Sequence, residues 1–188
     1  PHRKVSFSVP TGNFGNVFAA HVARKMGLLI ETLMISTNRN DILTRFFETG
    51  EMKMTGVEAS LSPSMDIQIS SNFERYLFDL IGRDAMKLTE LMNEFKKNGQ
   101  FTLSDALMAQ ARKDFRAHRR DDEQTLAMIK ACYEETAEVI DPHTAIGLSA
   151  ALACKGDPSV PIVALACAHA AKFPYAVEKA IALLPQRP

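Results

Sequence analysis

The chain has 188 residues, of which 46% are hydrophobic and 23% charged, with 22 basic and 22 acidic side chains. That balance fits a globular protein and excludes a disordered tail, a collagen-like chain or a disulfide-dense secreted scaffold. The zero net charge also argues against a nucleic-acid or membrane-surface binder, which normally carries a basic excess. The length fits one domain or part of a larger one.

Val5-Ser6-Phe7-Ser8-Val9 is a β-branched and aromatic run closed by Pro10, which predicts a strand. A Gly- and Asn-rich turn covers Thr11 to Asn16, and a helix is predicted from Val17 to Met26, closing at Gly27. Leu33 to Ser36 reads as a second strand. Asn38 to Asp41 offer caps for a helix that passes Phe47 and stops at Gly50. This order predicts an α/β fold with a parallel sheet flanked by helices.

From about Asn72 to Ile140 the pattern is almost entirely helical. Leu126, Ile129, Tyr133, Ala137 and Ile140 recur at helical spacing and mark one face. Asp141-Pro142 restarts the chain, with Asp as cap and Pro at the first helical position, and that helix runs to Lys155-Gly156. Ile162 to Cys167 has the length of a buried strand, and a last helix is predicted from about Tyr175 to Leu184.

Cys132, Cys154 and Cys167 are an odd set at wide spacings, without the CxxC or Cys/His pairing that zinc needs. Reduced thiols in the cytoplasm are the simplest reading, and no metal site is expected. No apolar run approaches the ~20 residues that span a bilayer. The chain lacks an initiator Met and starts almost at once on strand-like sequence, so it reads as a piece of something longer.

The most informative local feature is Thr11-Gly12-Asn13-Phe14-Gly15-Asn16 between a strand and a helix. Two glycines permit tight turns and close approach, so several N–H groups can converge on an anion at the positive end of the next helix. The pattern is neither a Walker loop nor a GxGxxG fingerprint. A plain βα turn, in which Gly and Asn serve conformation alone, is the competing reading. Arg112, Lys113, Arg116, Arg119 and Arg120 crowd the end of one predicted helix, and Asp121, Asp122 and Glu123 open the next. Those signs complement the helix dipoles and read as a solvated face rather than a nucleic-acid patch.

The loop resembles the cofactor-phosphate loop of the threonine synthase family, fold-type II pyridoxal-phosphate enzymes related to the tryptophan synthase β-subunit. Three further stretches are similar in the same order: Leu61 to Ile67 running into Ser70 to Arg75, Asp141 to Gly147, and Ala168 to Pro174. The resemblance implies a partial enzyme domain with a phosphate-loop part at 5–82, a helical part at 83–140 and a cofactor-facing part at 141–188. It implies pyridoxal 5′-phosphate as cofactor, held at its phosphate by Gly12, Asn13, Phe14, Gly15 and Asn16. Cys167 stands where the family places a threonine near the ring nitrogen; a thiol is a weaker hydrogen-bonding group than a hydroxyl. Composition alone favours reading Cys167 as a core cysteine on a buried strand.

Thr11, His143 and Thr144 are implied as pocket residues, with a capped helix start and solvent-facing His143 as the alternative. Asn72 and Arg75 read either as pocket-side contacts or as a helix N-cap followed by an exposed Arg. The implied reaction converts O-phospho-L-homoserine and water to L-threonine and phosphate. The family's Schiff-base lysine belongs to a Phe-Lys-Asp-like motif upstream of the loop, and nothing here matches it. Lys113-Asp114 and Lys172 are not substitutes. The expectation is therefore a cytoplasmic enzyme's central-to-C-terminal fragment, inactive alone, whose partner is the missing N-terminal part. Competing readings are another fold-type II lyase, such as a serine/threonine dehydratase or a cysteine synthase, and a non-catalytic phosphate-binding module.

Overall fold

The computed structural model describes residues 3–154 and 156–185. In chain order the elements are β1 (Val5–Pro10), α1 (Gly15–Lys25), β2 (Ile30–Thr37), α2 (Ile42–Thr49), β3 (Glu51–Lys53), a 3₁₀ turn at Pro63–Met65, α3 (Phe73–Leu80) and α4 (Ala85–Asn98). β4 (Gln100–Thr102), α5 (Asp105–Asp114), β5 (Phe115–Arg119), α6 (Asp122–Thr136), α7 (Pro142–Ala153), β6 (Ile162–Ala164) and α8 (Pro174–Ile181) follow. No helix among the described residues is long and apolar enough to cross a membrane.

Four strands form one parallel sheet in the order β5-β2-β1-β6. Phe7 lies between Leu33 and Val163, and Ile35 lies between Val9 and Ala117. The α/β architecture with helices on both faces is thus the one the element order predicts. One face carries an aromatic core in which Phe14, Phe46, Phe47, Phe73, Tyr76 and Phe115 are all buried. Phe14 meets Phe73 edge-on at 5.3 Å and Tyr76 meets Phe115 edge-on at 4.9 Å, the arrangement that ring quadrupoles favour. The antiparallel pair of β3 and β4, with Met52 opposite Phe101, seals the end of this core.

The opposite face is small and polar, and α7 packs onto it. Ser8 Oγ donates to the Gly147 carbonyl at 2.6 Å and lies 3.2 Å from Ser36 Oγ. A Cβ on Gly147 would stand 3.0 Å from the Pro10 ring, so glycine is what lets α7 come this close. α6 lies against α7 and α8.

The helical middle is interrupted by strands that the pattern does not announce. β5 joins the main sheet, so Arg116 and Arg119 sit on an edge strand; Arg112 and Lys113 do occupy the last turn of α5. Charge on an edge strand hinders pairing with another chain. α6 ends at Thr136, with Ala137 in the left-handed conformation, so Ile140 lies outside the helix face assigned to it. β6 is an edge strand only three residues long and is half-exposed rather than buried. α7 stops at Ala153, and the predicted helix end at Lys155 lies outside the described residues.

Asp79 ties α1 to α3. Its carboxylate accepts from Lys25 Nζ at 2.9 Å, Arg83 Nε at 2.8 Å and, when that nitrogen carries the proton, His21 Nε2 at 3.3 Å. Burial alone would raise its pKa; the hydrogen bonds from Lys25 and Arg83, joined by His21, outweigh burial and hold it at about 2 against an ordinary 3.8. Burial also lowers the His21 pKa, which keeps the imidazole neutral at neutral pH. Both groups bind protons more readily in the unfolded chain, so both oppose acid. The Asp79 contribution is complete above about pH 4 and fades as pH falls towards 2. Asp79→Asn should cost about 2 kcal/mol at pH 7 and flatten the acid limb of a urea-denaturation pH series. An unchanged acid limb would contradict this role.

Candidate anion-binding site

β1 pairs with β2 on one side and β6 on the other, both parallel, so the carboxyl ends of all three strands open on one edge of the sheet. The connection from β1 runs to β2 while the other neighbour arrives from far along the chain. That reversal is the crevice where open α/β sheets bind ligands. The loop from Thr11 to Asn16 and the segment reaching Cys167 both leave the sheet there.

Residues Val9 to Val17 line a cleft of about 210 Å³. Among the described residues, no acceptor meets the backbone N–H of Asn13, Phe14, Gly15, Asn16 or Val17; the first helical bond is Phe18 N–H to the Phe14 carbonyl. Phe14 is the N-cap of α1 and is left-handed, with φ 61° and ψ 11°. A left-handed residue followed by a right-handed one turns successive N–H groups into one concavity, a nest for anions. That conformation costs a bulky residue about 1–3 kcal/mol, and the buried Phe14 ring is what holds it.

The two glycines have different reasons. A Cβ on Gly12 would lie 2.7 Å from the Ser64 carbonyl oxygen and 3.3 Å from Met65 Cα, so backbone forbids it. On Gly15 a Cβ would meet only Asn72 Nδ2, at 3.5 Å, so packing does not demand glycine there. The space over Gly15 is free for a ligand.

The remaining expected residues divide. Thr11 lines the cleft, but its hydroxyl donates to the Val9 carbonyl at 2.6 Å and its N–H to Ser36 at 2.8 Å. Cys167 lies three residues past β6 and is exposed, so it is neither on the strand nor in the core. Its Sγ accepts from Asn16 Nδ2 at 3.3 Å, which brings it to the loop. Burial of the sulfur raises the thiol pKa, the Asn16 hydrogen bond opposes that rise, and the Asp141 charge adds to it. The net effect keeps a neutral thiol at the cleft.

His143 and Thr144 open α7, but among the described residues neither hydrogen-bonds to the loop. The solvent-facing alternative for His143 does not hold: the residue is 5% exposed, its Nδ1 lies 2.8 Å from Asp141, and its ring packs on Phe173 at 4.6 Å. Asp141 accepts from the His143 and Thr144 backbone N–H groups and from the Thr144 hydroxyl. Burial would raise the Asp141 pKa, yet the hydrogen bonds from His143 and Thr144 lower it, so the carboxylate stays ionised.

Asn72, which the sequence leaves ambiguous, and Ser70 belong to the loop's support. Asn72 occupies the N-cap of α3 but does not cap it with its side chain, which donates to the Asn13 carbonyl at 2.9 Å. Ser70 Oγ donates to the Gly12 carbonyl at 2.8 Å. Arg75 is exposed. No local signal marks Ser70 or Asn72, because their partners lie almost sixty residues earlier in the chain.

Two measurements check this geometry. Gly12→Ala should destabilise the fold by about 1–3 kcal/mol through overpacking, whereas Gly15→Ala should leave urea stability unchanged or raise it. Equal losses would contradict the packing assigned to the two glycines. Iodoacetamide should label Cys167 slowly at pH 7.5, with a rate that climbs only above the ordinary thiol range. A pH–rate profile, read by mass spectrometry, with its midpoint below that range would overturn the raised pKa.

Known proteins supply the family. A family model for the C-terminal part of threonine synthase matches residues 144–188. The threonine synthase of Pseudomonas aeruginosa is 51% identical over 180 residues, covering 96% of this chain and 38% of the relative. That of Saccharomyces cerevisiae is 43% identical over 196 residues, covering 95% and 38%. A solved threonine synthase of Brucella melitensis with PLP bound superposes with a TM-score of 0.97 at 49% identity, covering all of this chain and 40% of the other. The yeast structure gives a TM-score of 0.90 at 39% identity, covering 98% and 40%. The chain belongs to the threonine synthase family and spans about two fifths of the length of the relatives it matches.

Proposed function

We propose that this chain supplies the phosphate-holding part of a threonine synthase active site, in an enzyme that converts O-phospho-L-homoserine and water to L-threonine and phosphate. The observation that carries the reading is the row of unpartnered N–H groups from Asn13 to Val17 at the head of α1, in a chain 51% identical to a named threonine synthase. The relatives and structures named above are threonine synthases rather than dehydratases. We place the enzyme in the cytoplasm.

The residues present fit pyridoxal 5′-phosphate. Its dianionic phosphate needs several converging donors, and Gly12, Asn13, Phe14, Gly15 and Asn16 frame such a cradle, with no side chain over Gly15. When bound, the cofactor supplies the electron sink that stabilises negative charge beside the substrate's amino group. Everything else falls to the protein. The α1 terminus orients the phosphate by N–H donation and its dipole. Cys167, held by Asn16 and kept neutral, would offer the ring nitrogen an uncharged partner, which would impose no proton on it. Thr11 stiffens the strand end through Val9. Asp141 fixes His143 and Thr144 at the head of α7. The lysine that would tether the cofactor is assigned to the part of the relatives' length that this chain does not span.

Binding of pyridoxal 5′-phosphate and of pyridoxal to this polypeptide, followed by absorbance, tests the reading. The phosphorylated form should bind at least about tenfold more tightly, as expected for a few charge-assisted hydrogen bonds, and borohydride should trap no adduct on the loop. Equal affinities would remove the phosphate cradle. Turnover of O-phospho-L-homoserine by the chain alone would overturn its assignment as one part of the active site.

A further inference from the structure

We propose that Ser70 and Asn72 are positioning residues, which turn two peptide groups of the loop so that the N–H groups of Asn13 and Phe14 face the bound phosphate. The inference rests on the phosphate-cradle reading above and adds residues that the reading does not require.

A trans peptide is planar, so the carbonyl of one residue and the N–H of the next point in opposite directions. Fixing one therefore fixes the other. The Gly12 carbonyl receives Ser70 Oγ at 2.8 Å. The Asn13 carbonyl receives both Asn72 Nδ2 at 2.9 Å and the Asn72 backbone N–H at 3.1 Å. Both carbonyls are thus drawn towards residues 70–72, which directs the Asn13 and Phe14 N–H groups the other way. Those two N–H groups are among the ones with no acceptor among the described residues.

Three features argue that this is more than loop packing. Asn72 stands at the N-cap of α3, yet its side chain leaves that helix uncapped and serves the loop instead. A helix normally uses an N-cap Asn for its own first N–H groups, at a gain of about 1 kcal/mol, so the diversion marks where the amide is needed. The contact is also close: the Ser64 carbonyl oxygen would lie only 2.7 Å from a Gly12 Cβ. Finally, the segment that presses on the loop is itself anchored. Asp66 Oδ1 accepts from Asn38 Nδ2 at 2.7 Å, Asn40 Nδ2 at 2.9 Å and Ser60 Oγ at 2.6 Å. Asn38 and Asn40 are buried at the carboxyl end of β2, so the sheet carries the segment and the segment sets the loop.

The test uses the ¹⁵N-labelled 188-residue chain titrated with inorganic phosphate and with pyridoxal 5′-phosphate. In the unmodified chain the Asn13 and Phe14 amide resonances should move downfield and saturate. Ser70→Ala with Asn72→Ala should weaken binding by about tenfold, the equivalent of one or two neutral hydrogen bonds, and reduce the downfield shift of these two amides at saturation. The reduction should be larger for Asn13 than for Phe14, whose preceding carbonyl keeps the Asn72 backbone N–H. Ser70→Thr, which restores the donor in the Asn72→Ala background, should recover part of both. The single variants carry the test if the double variant does not fold. A folded double variant with unchanged affinity and unchanged Asn13 and Phe14 shifts would overturn the positioning role alone. An unmodified chain whose loop amides respond to neither ligand would overturn the cradle reading and this inference with it.

Discussion

Burial of the Phe14 ring against Phe73, Tyr76 and Phe115 is the interaction on which the site depends. A left-handed phenylalanine costs about 1–3 kcal/mol, while removing a fully buried phenylalanine from a core costs about 3–5 kcal/mol. The second quantity exceeds the first, so the core can hold the loop in a conformation that the backbone would otherwise leave. The result is a concave row of N–H groups whose geometry is set by apolar packing beneath it together with the polar residues that hold its carbonyls. The side chain serves the fold and the backbone serves the site.

The polar side of the loop is held by a different kind of support. The Asn38, Asn40, Ser60 and Asp66 cluster anchors the segment that reaches Gly12, and Asp141 anchors the start of α7. The half-buried Asp66 and the buried Asp141 are each met by several donors, which is the condition under which charge is tolerated away from water. Parallel pairing of β1 and β6 then brings Cys167 to Asn16, although the two lie 151 residues apart. A sheet edge, a helix end and two anchored segments thus converge on one small cleft. Each is rigid for its own reason, which is what a preorganised binding site requires.

Much of this was legible in the amino-acid order. The Val5–Val9 run, the Gly/Asn turn, Gly50 as a stop and the Asp141-Pro142 cap all express local rules, and all four elements stand where those rules put them. The loop was legible because two glycines and three hydrogen-bonding side chains fall between a strand and a helix. β5 was not, because Phe115 to Arg119 holds only two apolar residues among two arginines and a histidine, and that cationic run resembles a helix end when the sheet edge is unseen. β3 and β4 escaped because a three-residue strand carries too little periodicity. Cys167 could be singled out only by resemblance, and its exposure follows from the shortness of β6. Asn72 had an adequate local explanation as a helix cap, and only the fold shows its amide turned to Asn13.

The central claim is that the N–H groups from Asn13 to Val17 hold a phosphate group. A crystal of this chain grown with pyridoxal 5′-phosphate tests it most directly. The account predicts tetrahedral density over Gly15, with phosphate oxygens about 2.7–3.2 Å from at least three of those nitrogens. Phosphate density elsewhere on the molecule, with the loop nitrogens bonded only to water, would contradict it.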